Sequence, residues 1–174
     1  HNYERIALNL VNNRVYSNEL NPPYLPDVRR PPLYPTFLAG IYAWSGFSRT
    51  VAVLFQILLG SLTVGLTYLF AKSLLLSRRN ALFAALILAL DPLSIMYTNM
   101  LVTETLFTFY LVAGSLTLVS YIRSYRLGWL ILSACMFAGA ALTRPIGQFL
   151  PLVLLPLIVV AGGVSAGRRD RLGE

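Results

Sequence analysis

Three charged side chains in a very apolar chain raise the question of chemistry. Glu104 stands in "MLVTETLFTFYLVAG", Arg144 in "ALTRPIGQFLP" and Arg30 in "DVRRPPLYP". A carboxylate can take or orient the proton of a hydroxyl group as its oxygen attacks an electrophilic carbon. An arginine presents a planar fork of donors to a carboxylate or a phosphate. Brought together, the acid and an arginine could pair, or the arginines could hold the phosphate of a lipid-linked substrate. Each residue also has a plainer reading. Glu104 fits a helix-start residue at a positive N-terminal dipole, or a structural ion-pair partner. Arg144 fits a snorkelling side chain that marks a loop. Arg30 fits an interfacial loop that rests on lipid headgroups. Asp91, directly before Pro92, reads more readily as a turn or helix start than as a catalytic acid.

The elements that must position these residues are set by composition. Of 174 residues, 56% are hydrophobic and only 12% charged, and mean hydropathy is +0.65. A soluble domain carries about 25% charged residues, so the solvent for this chain is lipid. The expected fold is all-α, a polytopic transmembrane bundle. Five apolar runs, at about 50–76, 80–97, 100–122, 127–143 and 146–166, approach the ~17–25 residues that cross ~30 Å of hydrocarbon. Residues 1–47 read as an external segment and 167–174 as the start of a cytoplasmic loop. The chain begins at His1 and shows no cleavable signal peptide, so it reads as a fragment of a longer protein. Cys135, the single cysteine, lies within an apolar run and reads as a small packing residue.

The net charge of +7 could suggest nucleic acid. The basic residues instead fall in short groups between the apolar runs. Lys72, Arg78 and Arg79 separate the first two; Arg123 and Arg126 separate the third and fourth; Arg168, Arg169 and Arg171 follow the fifth. If the spans alternate, these groups share one side, which the positive-inside rule makes cytoplasmic. Asp91, Glu104, Arg144 and the N-terminal segment then share the outer side. Arg14, Arg29, Arg30 and Arg49 are basic yet external, and need a reason other than topology. Within the external segment, "NYERIALNLVNN" reads as a short amphipathic helix. "NELNPPYLPDVRRPPLYP" is rich in proline and reads as an extended loop. Pro35 suits the first turn of a short helix, and Tyr42 and Trp44 fit a bilayer interface. On a helix, Leu101, Phe107 and Thr108 would share the face of Glu104, so the acid is expected to point into a protein-lined cavity.

In order along the chain, "NYERIALNLVNN", "RRPPLYPTFLAGIYAWSG", "FQILLGSLTVGLTYLFAKSL", "ALFAALILALDPLSIMYTNMLVTETLF" and "GAALTRPIGQFLPLVLL" resemble the N-terminal half of GT-C glycosyltransferases. They are similar to the group that includes dolichyl-phosphate-mannose-protein mannosyltransferase-like enzymes of bacteria. The resemblance covers nearly the whole chain. It implies an integral, multi-pass enzyme of the bacterial plasma membrane with its site facing the exterior or periplasm. Such enzymes move a sugar, with inversion, from a polyprenyl-phosphate carrier to a lipid, glycan or protein acceptor. Membrane lipids are the other partners implied, and nucleic acid is not one.

The family's "TE" pair falls on Thr103 and Glu104, its R-P-P-x-Y-P loop on Arg30, Pro31, Pro32, Tyr34 and Pro35, and its "TRP" turn on Thr143, Arg144 and Pro145. The resemblance makes Glu104 a catalytic-site acid and Arg30 and Arg144 ligands of the donor phosphate, with Tyr3, Tyr34 and Thr103 in support. The family's main acid lies in the first external loop, a few residues before the tyrosine that matches Tyr3. It is expected upstream of His1, together with a first span; Glu4 is the only nearby substitute. Relatives differ in whether they bind a divalent metal. His1 is the only histidine, so no metal site and no cofactor are expected in this segment. The rival reading is a transporter or flippase for a lipid-linked substrate, where intramembrane charges also mark the path. Such proteins often carry internal repeats and helices broken at the midplane. No repeat is evident here, and the breakers fall near the ends of the runs. A non-catalytic scaffold would leave the long Pro-rich loop without a purpose.

Overall fold

The computed structural model describes residues 2–150 and 152. Seven α-helices occupy them, with no strand among the described residues, so the all-α expectation holds. The helices are α1 (Asn2–Asn13), α2 (Leu33–Ser45), α3 (Arg49–Ser73), α4 (Arg78–Ala89), α5 (Pro92–Asn99), α6 (Glu104–Ser124) and α7 (Leu127–Thr143). A 3-10 turn, Pro145–Phe149, follows. Most of the run expected at 146–166, and the tail after it, lie outside the described residues.

Two helices, α3 and α6, are long and apolar enough to cross a membrane. The pair α4 and α5 passes the same test jointly but is bent by 49°. The physical cause of the break is local. Asp91 caps α5, its Oδ2 accepting from the Ser94 amide at 2.8 Å and from the Ser94 hydroxyl at 2.6 Å. Pro92 then fills the first position of α5, where its missing N–H costs nothing. The run expected at 80–97 therefore holds two short helices rather than one. α7 is apolar but only 17 residues long.

α6 and α7 form the tightest pair, packed by small residues. Gly114 lies against the ring of Phe137 and Gly139 against that of Tyr110, where an added Cβ would come within 2.9 and 2.7 Å. Ser133 Oγ crosses between them to donate to the Gly114 carbonyl at 3.0 Å. In lipid, such close approach and interhelical hydrogen bonding drive association, because lipid tails are as apolar as leucine. Other hydroxyls are hidden within their own helix. Thr63, Thr108 and Ser115, for example, donate to the carbonyl four residues earlier.

One end of the bundle carries a roof. α1 buries Ile6 and Ala7, and α2 buries Tyr34, Leu38 and Tyr42. Most of these pack with Ala52 of α3, with Leu101 just before α6 and with Leu106 in its first turn, in a single core. The basic turns at Lys72 to Arg79 and Arg123 to Arg126 lie at the far ends of the same helices. α2 begins at Leu33, so Pro35 does sit in its first turn; Gly46 ends it in the left-handed region, with φ 66. Two expectations need correction here. Tyr42 is 1% exposed and belongs to the core, while Trp44 is 77% exposed. Cys135 lies on the exposed face of α7 and does not fill a packing gap.

Candidate active site

α6 begins at Glu104 itself. Leu101 therefore precedes the helix and is fully buried in the core under the roof. Phe107 and Thr108 do lie one turn on from the acid. The short segment before it is held from α3: Gln56, fully buried, donates from Nε2 to the Val102 carbonyl at 3.3 Å. A Cβ on Gly60 would lie 3.9 Å from the Thr105 methyl. Glu104 thus meets α3 at the level of residues 56–60, two to three turns past its start. The acid is recessed beneath the roof, and its place in the first turn of α6 sets a negative charge at a positive helix end.

α7 delivers the arginine. Its last residue, Thr143, is fully buried and donates to the Gly139 carbonyl at 2.7 Å. Arg144 follows in an extended conformation, and Pro145 starts the 3-10 turn. Arg144 Nη1 reaches Glu104 Oε1 at 3.3 Å, with the two side chains 39% and 26% exposed. Its guanidinium carbon lies 5.7 Å from the centre of the Phe107 ring. Thr103 Oγ1 donates to the other carboxylate oxygen at 3.3 Å. The acid, the "TRP" arginine and the threonine before the acid are therefore one cluster.

Arg30 is held elsewhere. Its guanidinium pairs with Asp27 and lies 6.0 Å from the centre of the Tyr3 ring. Asp27 Oδ1 also accepts from the backbone amides of Arg29 and Arg30 at 3.0 and 3.1 Å. The Tyr16 hydroxyl closes the loop from the other side by donating to the Arg30 carbonyl at 2.9 Å. Burial, then the charge of Asp27, pushes the Tyr16 phenol up to about 12, so it stays a donor at neutral pH. These contacts close the loop, and its arginine already has an anionic partner.

Tyr34 connects the two arginines' surroundings. It is fully buried, stands edge-on to Tyr3 with ring centres 5.5 Å apart, and its hydroxyl faces the Gln56 side-chain amide. Burial, with Tyr42 and Glu104 nearby, drives its ionisation far above the usual phenol range. It is a neutral donor beside the acid. Glu4 accepts from the Tyr42 hydroxyl at 2.9 Å, which ties α1 to α2.

A model of the family "dolichyl-phosphate-mannose-protein mannosyltransferase" matches residues 29–168. The chain belongs to this family. Membership makes it a membrane glycosyltransferase of the GT-C type and an integral membrane protein. The mannosyltransferase-family match takes in Arg30, Tyr34, Thr103, Glu104 and Arg144; Tyr3 and α1 precede it. No curated protein and no solved structure matches the chain.

Sequence reasoning passed over two residues that hold the surroundings of this cluster. Gln56 is the one amide inside "VAVLFQILLG", and a polar group within a span ordinarily signals a specific partner. Asp27 precedes "VRR" at the spacing of an Asx turn, which is how it binds the Arg29 and Arg30 amides. The geometry carries one direct expectation. Single cysteines at positions 104 and 144 of the full-length protein should react with a charged thiol reagent added to the same side of the membrane. Labelling from opposite sides would dissolve the site.

Proposed function

We propose that the chain carries part of the site at which a sugar passes from a polyprenyl-phosphate carrier to an acceptor hydroxyl, on the non-cytoplasmic face of the membrane. The observation that carries this is the Glu104–Arg144 pair, 3.3 Å apart and recessed beneath the roof of α1 and α2. In the reaction, the acceptor oxygen forms a bond to the anomeric carbon while the bond from that carbon to the phosphate oxygen breaks. The electron pair leaves with the lipid phosphate, and the hydroxyl proton goes to a carboxylate base. One direct displacement of this kind inverts the anomeric centre. A lipid phosphate is already an anion, so it needs positive charge rather than an acid.

Glu104 orients the acceptor hydroxyl and fixes Arg144. Arg144 turns part of its fork toward the donor phosphate. Arg30, paired with Asp27 in this structure, contributes to the donor site by exchanging that carboxylate for the phosphate. Tyr3 and Tyr34 form the aromatic wall between them. The bend at Asp91 is the feature most like a transporter, but its cap is satisfied internally by Ser94.

The deciding experiment incubates the purified full-length protein with a panel of polyprenyl-phosphate sugars and a membrane extract as acceptor. Sugar transfer without any nucleotide sugar is the expected result. Movement of the intact lipid-linked sugar across the vesicle membrane, with no new glycosidic bond, would favour the transporter instead.

A further inference from the structure

Gln56 stands where three segments meet, and packing alone does not account for it. It is wholly buried on α3. Gly60, one turn on and on the same face, lies against Thr105 of α6. From Nε2, Gln56 donates to the Val102 carbonyl at 3.3 Å. The same amide faces the hydroxyl of Tyr34 on α2. Its Oε1 is buried with no hydrogen-bond partner among the described residues. Turning the amide round would not help, because Oε1 would then meet the Val102 carbonyl, acceptor against acceptor. An unpaired buried acceptor is destabilising. A methionine, flexible and apolar, would fill the same space without one. The reason for an amide here therefore lies in what its donor side holds.

One arm holds the segment that leads into the acid. Val102 stands two residues before Glu104. Its amide closes a tight turn on the Met100 carbonyl at 3.0 Å, and Leu101 is buried beneath the roof. Among the described residues, Gln56 supplies the only side-chain hydrogen bond that reaches Met100 to Thr103 from another helix. Apolar burial of Leu101 is non-directional and sets depth. A hydrogen bond is directional, so the one to Val102 fixes the angle at which the chain enters α6. That angle aims the first turn, and with it the Glu104 carboxylate, toward Arg144 on its separate support after α7.

The other arm reaches the roof. Tyr34 stands edge-on to Tyr3, and the Arg30 guanidinium lies 6.0 Å from the centre of the Tyr3 ring. One amide thus meets both the backbone that aims the acid and the tyrosine packed beside the loop arginine.

We infer that Gln56 is a positioning residue for sugar transfer. Through Val102 and Tyr34 it locks the start of α6 to the roof, and so fixes Glu104 relative to both arginines. It touches none of the reacting atoms. The inference rests on the glycosyltransferase reading for what Glu104 does, and on the geometry alone for where Gln56 holds it.

The test compares the full-length protein with its Gln56→Met variant by three measurements. In the transfer assay, kcat should fall by about tenfold or more, the effect of a small misplacement near the chemistry. KM for the polyprenyl-phosphate sugar should stay within about twofold, because both arginines remain. In hydrogen exchange read by mass spectrometry, amides within 101–109 should exchange about fivefold faster, the loss of one hydrogen bond, while those of 113–124 stay as in the parent. The thermal unfolding midpoint should hold, because the variant loses one hydrogen bond and one unpaired acceptor together. A residue that only packs would instead lower the midpoint and leave kcat alone. Gln56→Asn keeps the amide but is one methylene too short to reach Val102; it should show the same loss of kcat, and serves if the methionine variant does not fold. Tyr34→Phe tests the roof arm: combined with Gln56→Met it should be no worse than the more damaging single change, where independent residues would multiply. Parental kcat, parental exchange at 101–109, or multiplying effects in the double variant would each overturn the inference. Faster exchange in a preparation whose parent transfers no sugar would leave Gln56 as the tie of α6 and remove the enzyme reading. Transfer by the parent with a fully active Gln56→Met variant would do the reverse.

Discussion

Replacing Arg144 with alanine in the full-length enzyme is expected to lower sugar transfer by about a hundredfold or more, the usual cost of losing one donor to a developing anion. Two effects combine. Glu104 loses the partner that holds it at 3.3 Å, and the leaving phosphate loses a positive charge that lysine would restore only in part, because a lone ammonium cannot bridge two anions as a fork does. The roles separate in a double-mutant cycle with Glu104→Gln. If Arg144 served the acid alone, the double variant would be no worse than Glu104→Gln. If it also holds the donor, Arg144→Ala raises the KM for the polyprenyl-phosphate sugar and the double variant falls further. Unchanged transfer by Glu104→Gln at normal expression would take Glu104 out of the site.

The second large effect is expected at Gly147, which brings no side chain to the ion pair. It is buried in the 3-10 turn, and its amide donates to the Arg144 carbonyl at 2.9 Å. A Cβ at this position would lie 2.6 Å from Ala141 Cα, 2.7 Å from its nitrogen and 2.8 Å from the carbonyl carbon of Ala140. All three are main-chain atoms of α7 and cannot swing aside as a side chain can. Gly147→Val must therefore push the turn off α7 and carry Arg144 with it. Overpacking of this kind costs about 1–3 kcal/mol, and a displacement of ~1 Å at a reacting centre can cost ~10²-fold in rate. Transfer should fall by roughly 10–100-fold while helix content and membrane insertion persist. Gly128, on the same helix with nothing within 4 Å of an added Cβ, provides the control: Gly128→Ala should match the parent. Equal activities for the two variants would show that the turn does not position the arginine.

What was legible in the sequence follows from what is local. The amphipathic spacing of "NYERIALNLVNN" announced α1, the prolines announced the loop and the start of α2, and Asp91-Pro92 announced a helix start through a cap that needs only three residues. Composition alone was enough for an all-helical membrane protein. The start of α6 was not legible, because the segment before it is tied to a glutamine 46 positions away in sequence. Nor was the fate of Arg30, whose positive charge reads as free until Asp27 is seen to fold back on it. Tyr42 misled for a related reason. Its ring could serve a lipid interface or a core, and the presence of Glu4 across the α1–α2 contact decided for the core.

The shortness of α7 carries a consequence for where this chemistry works. At 17 residues and 1.5 Å per residue, α7 spans roughly 26 Å, less than the ~30 Å of a typical hydrocarbon layer. A helix this short crosses a full hydrocarbon layer only with local thinning of the lipid or with its ends drawn inward. Because α7 is stitched to α6 through Ser133 and Gly114, the arginine cannot adjust its depth independently of the acid. Acyl-chain length and sterol-like thickening agents thereby become a dial on how deep the ion pair sits and how much water reaches it.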